Sequence, residues 1–246
     1  MSKSQRDRAA AKRIVEQQKA AERRRRVTIW TSVAVVGVLV IAGLIGWGVL
    51  SKQESSDAGK LTTPSVAVDE GTAFAFGTGK VTIDLYEDFM CPICNEFETS
   101  AADTIDSLIT ANTVTVRYHP VSILDRASNG TEYSTRAAGA GAAAAEGGKF
   151  REFHKVLYAN QPEENSDGLT DAKIIELGKS VGLGDDFATA VNDKTYDSWA
   201  TKVTETFSAR GYTGTPTVVV NGKQLQGASG GVPTAADLSA AVTSAG

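Results

Sequence analysis

Cys91-Pro92-Ile93-Cys94 holds the only two cysteines in a chain of 246 residues. The thiolate is the reactive form of cysteine, so what matters is what surrounds each sulfur. A strand-like run, Val81–Tyr86, leads into the pair, and apolar positions at helical spacing lead away from it. A sulfur at a helix start faces unpaired backbone N–H groups and the positive end of the helix dipole, and both favour the anion. Pro92 suits the first helical position, where its missing N–H costs nothing. On this reading Cys91 is the exposed attacking sulfur, and Cys94, one turn in and more buried, is its resolving partner.

Other chemistries fit less well. A structural disulfide across two residues closes almost no loop, so it gains little entropically. A zinc site needs about four ligands of the right type. The two histidines, His119 and His154, show no ligand spacing to the cysteines and read as structural or surface residues. A thiolate pair holding Cu(I) stays open as a non-enzymatic alternative. No metal and no cofactor are expected.

The elements around the pair divide the chain. The net charge of -4 hides an asymmetry: residues 1–26 carry ten Lys/Arg against three acids, so the remainder is strongly acidic. An acidic domain lacks the basic face that nucleic acid requires. Val27–Leu50 contains no charge, and as a helix it would span roughly 36 Å, enough to cross a bilayer. Trp30 and Trp47 fall near its ends, and Arg23–Arg26 precede it, which places the N-terminus in the cytoplasm and the rest outside. A cleavable signal peptide has a shorter apolar core and a small-residue site nearby, and Ser56-Asp57-Ala58 is a poor and distant one. The expected organisation is a basic cytoplasmic tail (1–26), a transmembrane anchor (27–50), a linker (51–65) and an extracytoplasmic domain (66–246).

Within that domain, Val66–Val68 and Ala73–Phe76 are short strand candidates ahead of the main strand at 80–86. A helix is expected from Pro92 to Ala111 and a strand from Thr113 to Tyr118, followed by a helical block over about 122–210. Gln161–Gly168 reads as a solvated loop. Thr217–Val220 returns to strand, Asn221-Gly222 signals a hairpin, and Thr234 with Asp237 resembles a capping box opening a last helix.

Two motifs in this order carry a family resemblance. One is Asp88-Phe89-Met90-Cys91-Pro92-Ile93-Cys94 after a strand, and the other is Gly214-Thr215-Pro216-Thr217 before a Val-rich strand. The chain resembles the thioredoxin superfamily, and within it the DsbA-like thiol–disulfide oxidoreductases. The resemblance implies an α/β thioredoxin fold with a helical insertion between the active-site half and a cis-proline hairpin, beside the one N-terminal transmembrane helix. It implies a cis bond before Pro216, with Thr215 against the cysteines and its backbone free to pair with an extended substrate. It also implies that the protein introduces disulfides into exported cysteine-containing proteins and is reoxidised by a membrane partner of the DsbB or vitamin K epoxide reductase type.

The sequence departs from the family in two places. Pro92 and Ile93 stand where many relatives carry a histidine that steadies the thiolate, which points to weaker oxidising power. Leu85 stands where many carry a buried acid that relays protons to the second cysteine. Asp84 is one residue off and on the opposite strand face, while Glu87 and Asp88 are nearer in sequence, so the relay is unassigned. A reductase or isomerase of the same fold is the main alternative.

Overall fold

A computed structural model describes residues 61–227 and 230–246. One sheet contains β1 (Phe74–Phe76), β2 (Val81–Glu87), β3 (Val114–Pro120), β4 (Thr217–Val220) and β5 (Lys223–Leu225). Their order is β1-β3-β2-β4-β5. β2 and β3 are parallel, and every other pairing is antiparallel. A parallel pair needs a crossover, which the helix α1 (Pro92–Thr110) supplies. Phe97, Ala101 and Ile105 recur at helical spacing and form its buried face.

Helices cover both faces of the sheet, so the two sides of β2 are equally closed. Leu85 points to one side and Asp84 to the other, as alternation demands, yet both are buried. The insertion comprises α2 (Tyr133–Glu146), α3 (Phe150–Ala159), α4 (Asp171–Ser180), α5 (Asp185–Asn192) and α6 (Asp197–Ala209), and α7 (Ala235–Ala245) closes the fold. Nearly every residue of α2 is buried. Its alanines and glycines let α3, α5 and α6 pack against it closely. At Gly139 an added Cβ would lie 2.6 Å from Asp197 Oδ1, so a larger residue there would displace the Asp197 side chain.

The buried side chains form two clusters. One joins the sheet to α1, α6 and α7 through Ile83, Leu85, Phe97, Val116, Trp199 and Leu238. The other fills the insertion and takes in Phe89, Met90, Cys91 and Cys94 along with Tyr133 and Phe153. The cysteines therefore lie on the seam between the sheet and the inserted helices.

Several expectations need adjusting. Val66–Val68 is not a strand: Ala67 N–H turns back to the Pro64 carbonyl, and only Val68 bridges Ala73. Asp69, Glu70 and Gly71 all take positive φ, which folds that segment too tightly for a ladder. The folded unit also begins before residue 66. Pro64 is buried, and Ser65 donates through its backbone N–H and its Oγ (3.0 Å) to the Glu146 carboxylate. The Asn221-Gly222 hairpin forms, with φ of 46° and 78°. These are the positive values a two-residue primed turn needs. Both halves of the Thr234–Asp237 capping box are present. Among the described residues no helix is long and apolar enough to cross a membrane. The Val27–Leu50 span and the basic tail lie outside those residues.

Trp199 ties α6 to the sheet edge: it is fully buried, packs in a tilted arrangement 5.1 Å from Phe74, and donates its indole N–H to the Gly71 carbonyl at 2.6 Å. Trp199→Ala is expected to cost about 3–5 kcal/mol in denaturant unfolding. A loss below about 1 kcal/mol would contradict this packing.

Candidate active site

The turn between β2 and α1 is built by Asp88. Its carboxylate accepts from Met90 N–H (2.9 Å), Leu124 N–H (2.9 Å) and Ser134 Oγ (2.7 Å). Its carbonyl accepts from Cys91 N–H at 2.9 Å and from Tyr158 Oη at 3.2 Å. One acid thus shapes the turn locally and fastens it to the insertion. Burial pushes this carboxyl up to about 7, against the pull of its three donors. The sequence motif contains Asp88 but does not show this role; an Asp two residues before an N–H it caps is the local signal that was available.

Cys91 occupies the N-cap of α1, with Pro92 at the helix start. Its Sγ lies 3.5 Å from the Thr215 carbonyl oxygen, within hydrogen-bonding reach for sulfur. The Thr215–Pro216 peptide bond is cis, and both residues are half-buried. Cys91 is less open than its sequence reading holds: the residue is 6% exposed and Cys94 0%. The Thr215 loop covers the sulfur, while Gln161 Nε2 reaches the Phe89 and Cys91 carbonyls at 3.1 and 2.9 Å. Gln161 therefore does not belong to a freely solvated loop. Pro92 and Ile93 are exposed, Ile93 at 41%, so the apolar surface at the site belongs to the residues between the cysteines.

Both cysteines are free thiols, and they ionise very differently. Cys91 is pulled down from 9.0 to about 6. The Cys94 thiol, donating to the Cys91 sulfur, is the first cause; burial opposes it, and the Thr215 side chain and the N–H groups of Cys94 and Ile93 add to it. The helix start thus contributes, but less than the neighbouring thiol. Cys94 moves the other way, well above 9.0, through burial first, then the hydrogen bond it gives to Cys91 and the charge of Glu87. Glu87 is accordingly the acid that acts on the second sulfur. Leu85 lies in the apolar core, and Asp84 faces away, bonded to Arg117 Nη2 (2.8 Å) and His119 Nε2 (3.0 Å).

Both histidines are buried, which excludes the surface half of their sequence reading. His119 packs with Asp84, and Thr72 Oγ1 lies 3.5 Å from its Nδ1. His154 Nε2 is 3.0 Å from Glu87 Oε2, and its Nδ1 is 3.8 Å from Glu98 Oε2. Burial pulls both imidazoles down, which keeps them neutral. Glu87 and Glu98 are each raised to about 8, chiefly by burial. No sequence pattern pairs residues 87, 98 and 154, which come from β2, α1 and α3.

A family model described as Thioredoxin matches residues 77–242. The chain is similar to the oxidised DsbA of Mycobacterium tuberculosis, at 31% identity and a TM-score of 0.61, covering 70% of this chain and 91% of that one. It is also similar to the reduced disulfide bond oxidoreductase DsbG of the same organism, at 30% identity and a TM-score of 0.58, covering 78% of this chain and 90% of that one. A further relative is the serine/threonine-protein kinase PknE of M. tuberculosis, 29% identical over 161 residues, or 61% of this chain. The chain spans only 28% of that kinase's length.

The ultraviolet absorbance of the thiolate in the reduced protein is expected to titrate with a midpoint near 6 and to vanish in Cys91→Ser. Replacing Cys94 with Ala removes the main donor, so the midpoint should rise. A thiol whose folded pKa lies below its unfolded value adds stability above the unfolded value and loses it as pH falls through the folded one. The Cys91 contribution to the reduced protein should therefore fade between pH 9.0 and about 6. Asp88→Ala leaves three buried or half-buried donors without their acceptor, and it is expected to cost at least about 2 kcal/mol in urea unfolding. An unchanged midpoint would remove Asp88 from the account of the turn.

Proposed function

Because this chain belongs to the thioredoxin family, in its DsbA-like branch, and is a thiol–disulfide oxidoreductase, we propose that it oxidises exported cysteine-containing proteins through a Cys91–Cys94 redox pair. The observation that carries this reading is the unequal ionisation of the two sulfurs. A stabilised Cys91 thiolate favours the reduced enzyme, which makes the disulfide a willing electron acceptor.

In the oxidising direction a substrate thiolate attacks Sγ of Cys91 in the Cys91–Cys94 disulfide. The bond between the cysteines breaks, and Cys94 leaves and takes up a proton. A second substrate thiolate then attacks the substrate sulfur of the mixed disulfide, and Cys91 leaves as the thiolate. The substrate loses two electrons and two protons in total, and the enzyme gains the electrons. The Thr215 backbone beside Cys91 offers an extended substrate segment a place to pair. Reoxidation falls to a quinone-linked membrane protein of the DsbB or vitamin K epoxide reductase type. An anchor at Val27–Leu50 would hold the domain outside the membrane, near that partner and near emerging chains.

One observation favours the reductase or isomerase alternative. A Cys91 value of about 6 falls between the range of about 7 for thioredoxin and about 3.5 for DsbA. The Pro92-Ile93 pair, which offers no side-chain donor, accounts for the modest depression. Oxidising power is then intermediate, and the direction is set by the pair's redox state in the cell.

Cys94→Ala, expressed in cells, tests the reading. Cys91 should accumulate mixed disulfides with exported cysteine proteins, visible as adducts on non-reducing gels and lost on reduction. A folded, expressed variant that forms no adducts would remove the enzymatic reading. Alkylation trapping of the intact protein gives the direction: mostly disulfide supports oxidation, mostly dithiol supports reduction.

A further inference from the structure

Two buried histidines each sit among carboxylates, and the two clusters differ in how their charge is met. Asp69, Asp84 and His119 form one, Glu87, Glu98 and His154 the other. In the first, Arg117 reaches Asp69 at 2.9 Å and Asp84 at 2.8 Å, and Arg210 reaches Asp69 at 2.9 Å. That cluster is already neutralised. In the second, no arginine or lysine among the described residues pairs with either acid, and only the His154 ring lies beside them. Arg151, the nearest arginine in sequence, is engaged by Asp106 and lies over the Phe76 ring.

The second cluster also has unmet hydrogen-bonding capacity. Glu87 Oε1 and Glu98 Oε1 are buried and have no hydrogen-bond partner. The side chain of Glu87 is only 5% exposed. Buried polar atoms are nearly always satisfied, and two carboxylates side by side are costly. With both carboxyls raised to about 8, the pair is met either by protons or by a bound cation.

We propose that Glu87, Glu98 and His154 bind one first-row divalent cation of the Zn2+ or Mn2+ kind. The donor atoms of the three side chains all lie within 4.8 Å of one another. Glu87 Oε2 and His154 Nε2 are 3.0 Å apart, close to the separation of two ligands that each sit about 2.1 Å from a shared ion. Two carboxylates and an imidazole suit zinc and manganese, while the nitrogen donor discriminates against magnesium and calcium. A hollow of about 390 Å3, lined by Glu98, His154, Asp106, Arg151 and Lys155, adjoins the cluster and gives hydrated access and room for water ligands. The three ligands come from β2, α1 and α3. A bound cation would clip the sheet, the cysteine-bearing helix and the insertion together, and binding only the folded state would stabilise it. This inference goes beyond the redox reading and does not depend on it.

The test uses the untagged full chain in its oxidised form, since a disulfide cannot bind metal as thiolates do. After chelator stripping and dialysis against Zn2+ or Mn2+, metal analysis should find one equivalent per chain and a raised melting temperature, with no comparable rise in Mg2+. Glu98→Gln and His154→Gln should each weaken binding by at least about tenfold, while His119→Gln leaves it unchanged. The chain has two histidines, so a measurement on the unsubstituted protein guards against misfolded variants: diamagnetic Zn2+ should shift the imidazole resonances of His154 strongly and those of His119 little. No bound metal, binding unaltered by both ligand substitutions, or a Zn2+ shift confined to His119 would each overturn the proposal and leave protons as the charge that satisfies the two glutamates.

Discussion

One interaction makes the rest of this site intelligible: the pull of the Cys94 thiol on the ionisation of the Cys91 sulfur. Two identical groups, three residues apart, are given opposite tendencies by it. The acceptor is stabilised as an anion, and the donor is held in its protonated form. Burial would raise both thiols by itself. What separates them is that Cys91 also meets Thr215 and the backbone N–H groups of the helix start, whereas Cys94 meets the carboxyl of Glu87. A sulfur that is easily expelled thus lies next to one that keeps its proton.

That asymmetry requires the sulfurs to sit on a seam. Cys91 and Cys94 pack with the cluster that fills the insertion, while the strand before them and the helix after them belong to the cluster that fills the sheet. Asp88 holds the seam in register by fastening the turn to Leu124 and Ser134, and Gln161 closes it from the other side. The insertion is therefore part of the site's wall. Its all-round burial in α2 depends on alanine and glycine, because only small side chains allow four helices to meet at these distances.

The parallel β2–β3 pair places buried polar chemistry on both faces of the sheet. Each face carries one histidine with two carboxylates. Arginines from β3 and the end of α6 balance one of them, and among the described residues no arginine or lysine pairs with the other. The unbalanced one lies on the cysteine side, where Glu87 acts on Cys94. Leu85 is apolar, and the acid whose charge raises Cys94 is Glu87, the last residue of the same strand.

Much of the architecture was legible because it depends on short-range patterns. Strand alternation, the helical spacing of Phe97, Ala101 and Ile105, the Asn221-Gly222 turn and the Thr234–Asp237 cap are all local rules that tertiary context left standing. The cysteine spacing and the Thr-Pro before the Val-rich strand pointed to the chemistry. Val66–Val68 failed as a strand because three positive-φ residues follow it, and β-propensity does not show a tight turn built without proline. The tertiary structure alone decided which acid meets Cys94, that Cys91 is covered by the Thr215 loop, and that Glu87, Glu98 and His154 converge. These are contacts between residues up to 124 positions apart. A sequence names the groups that can ionise, but their charge is set by burial and neighbours, and those exist only once the chain has folded.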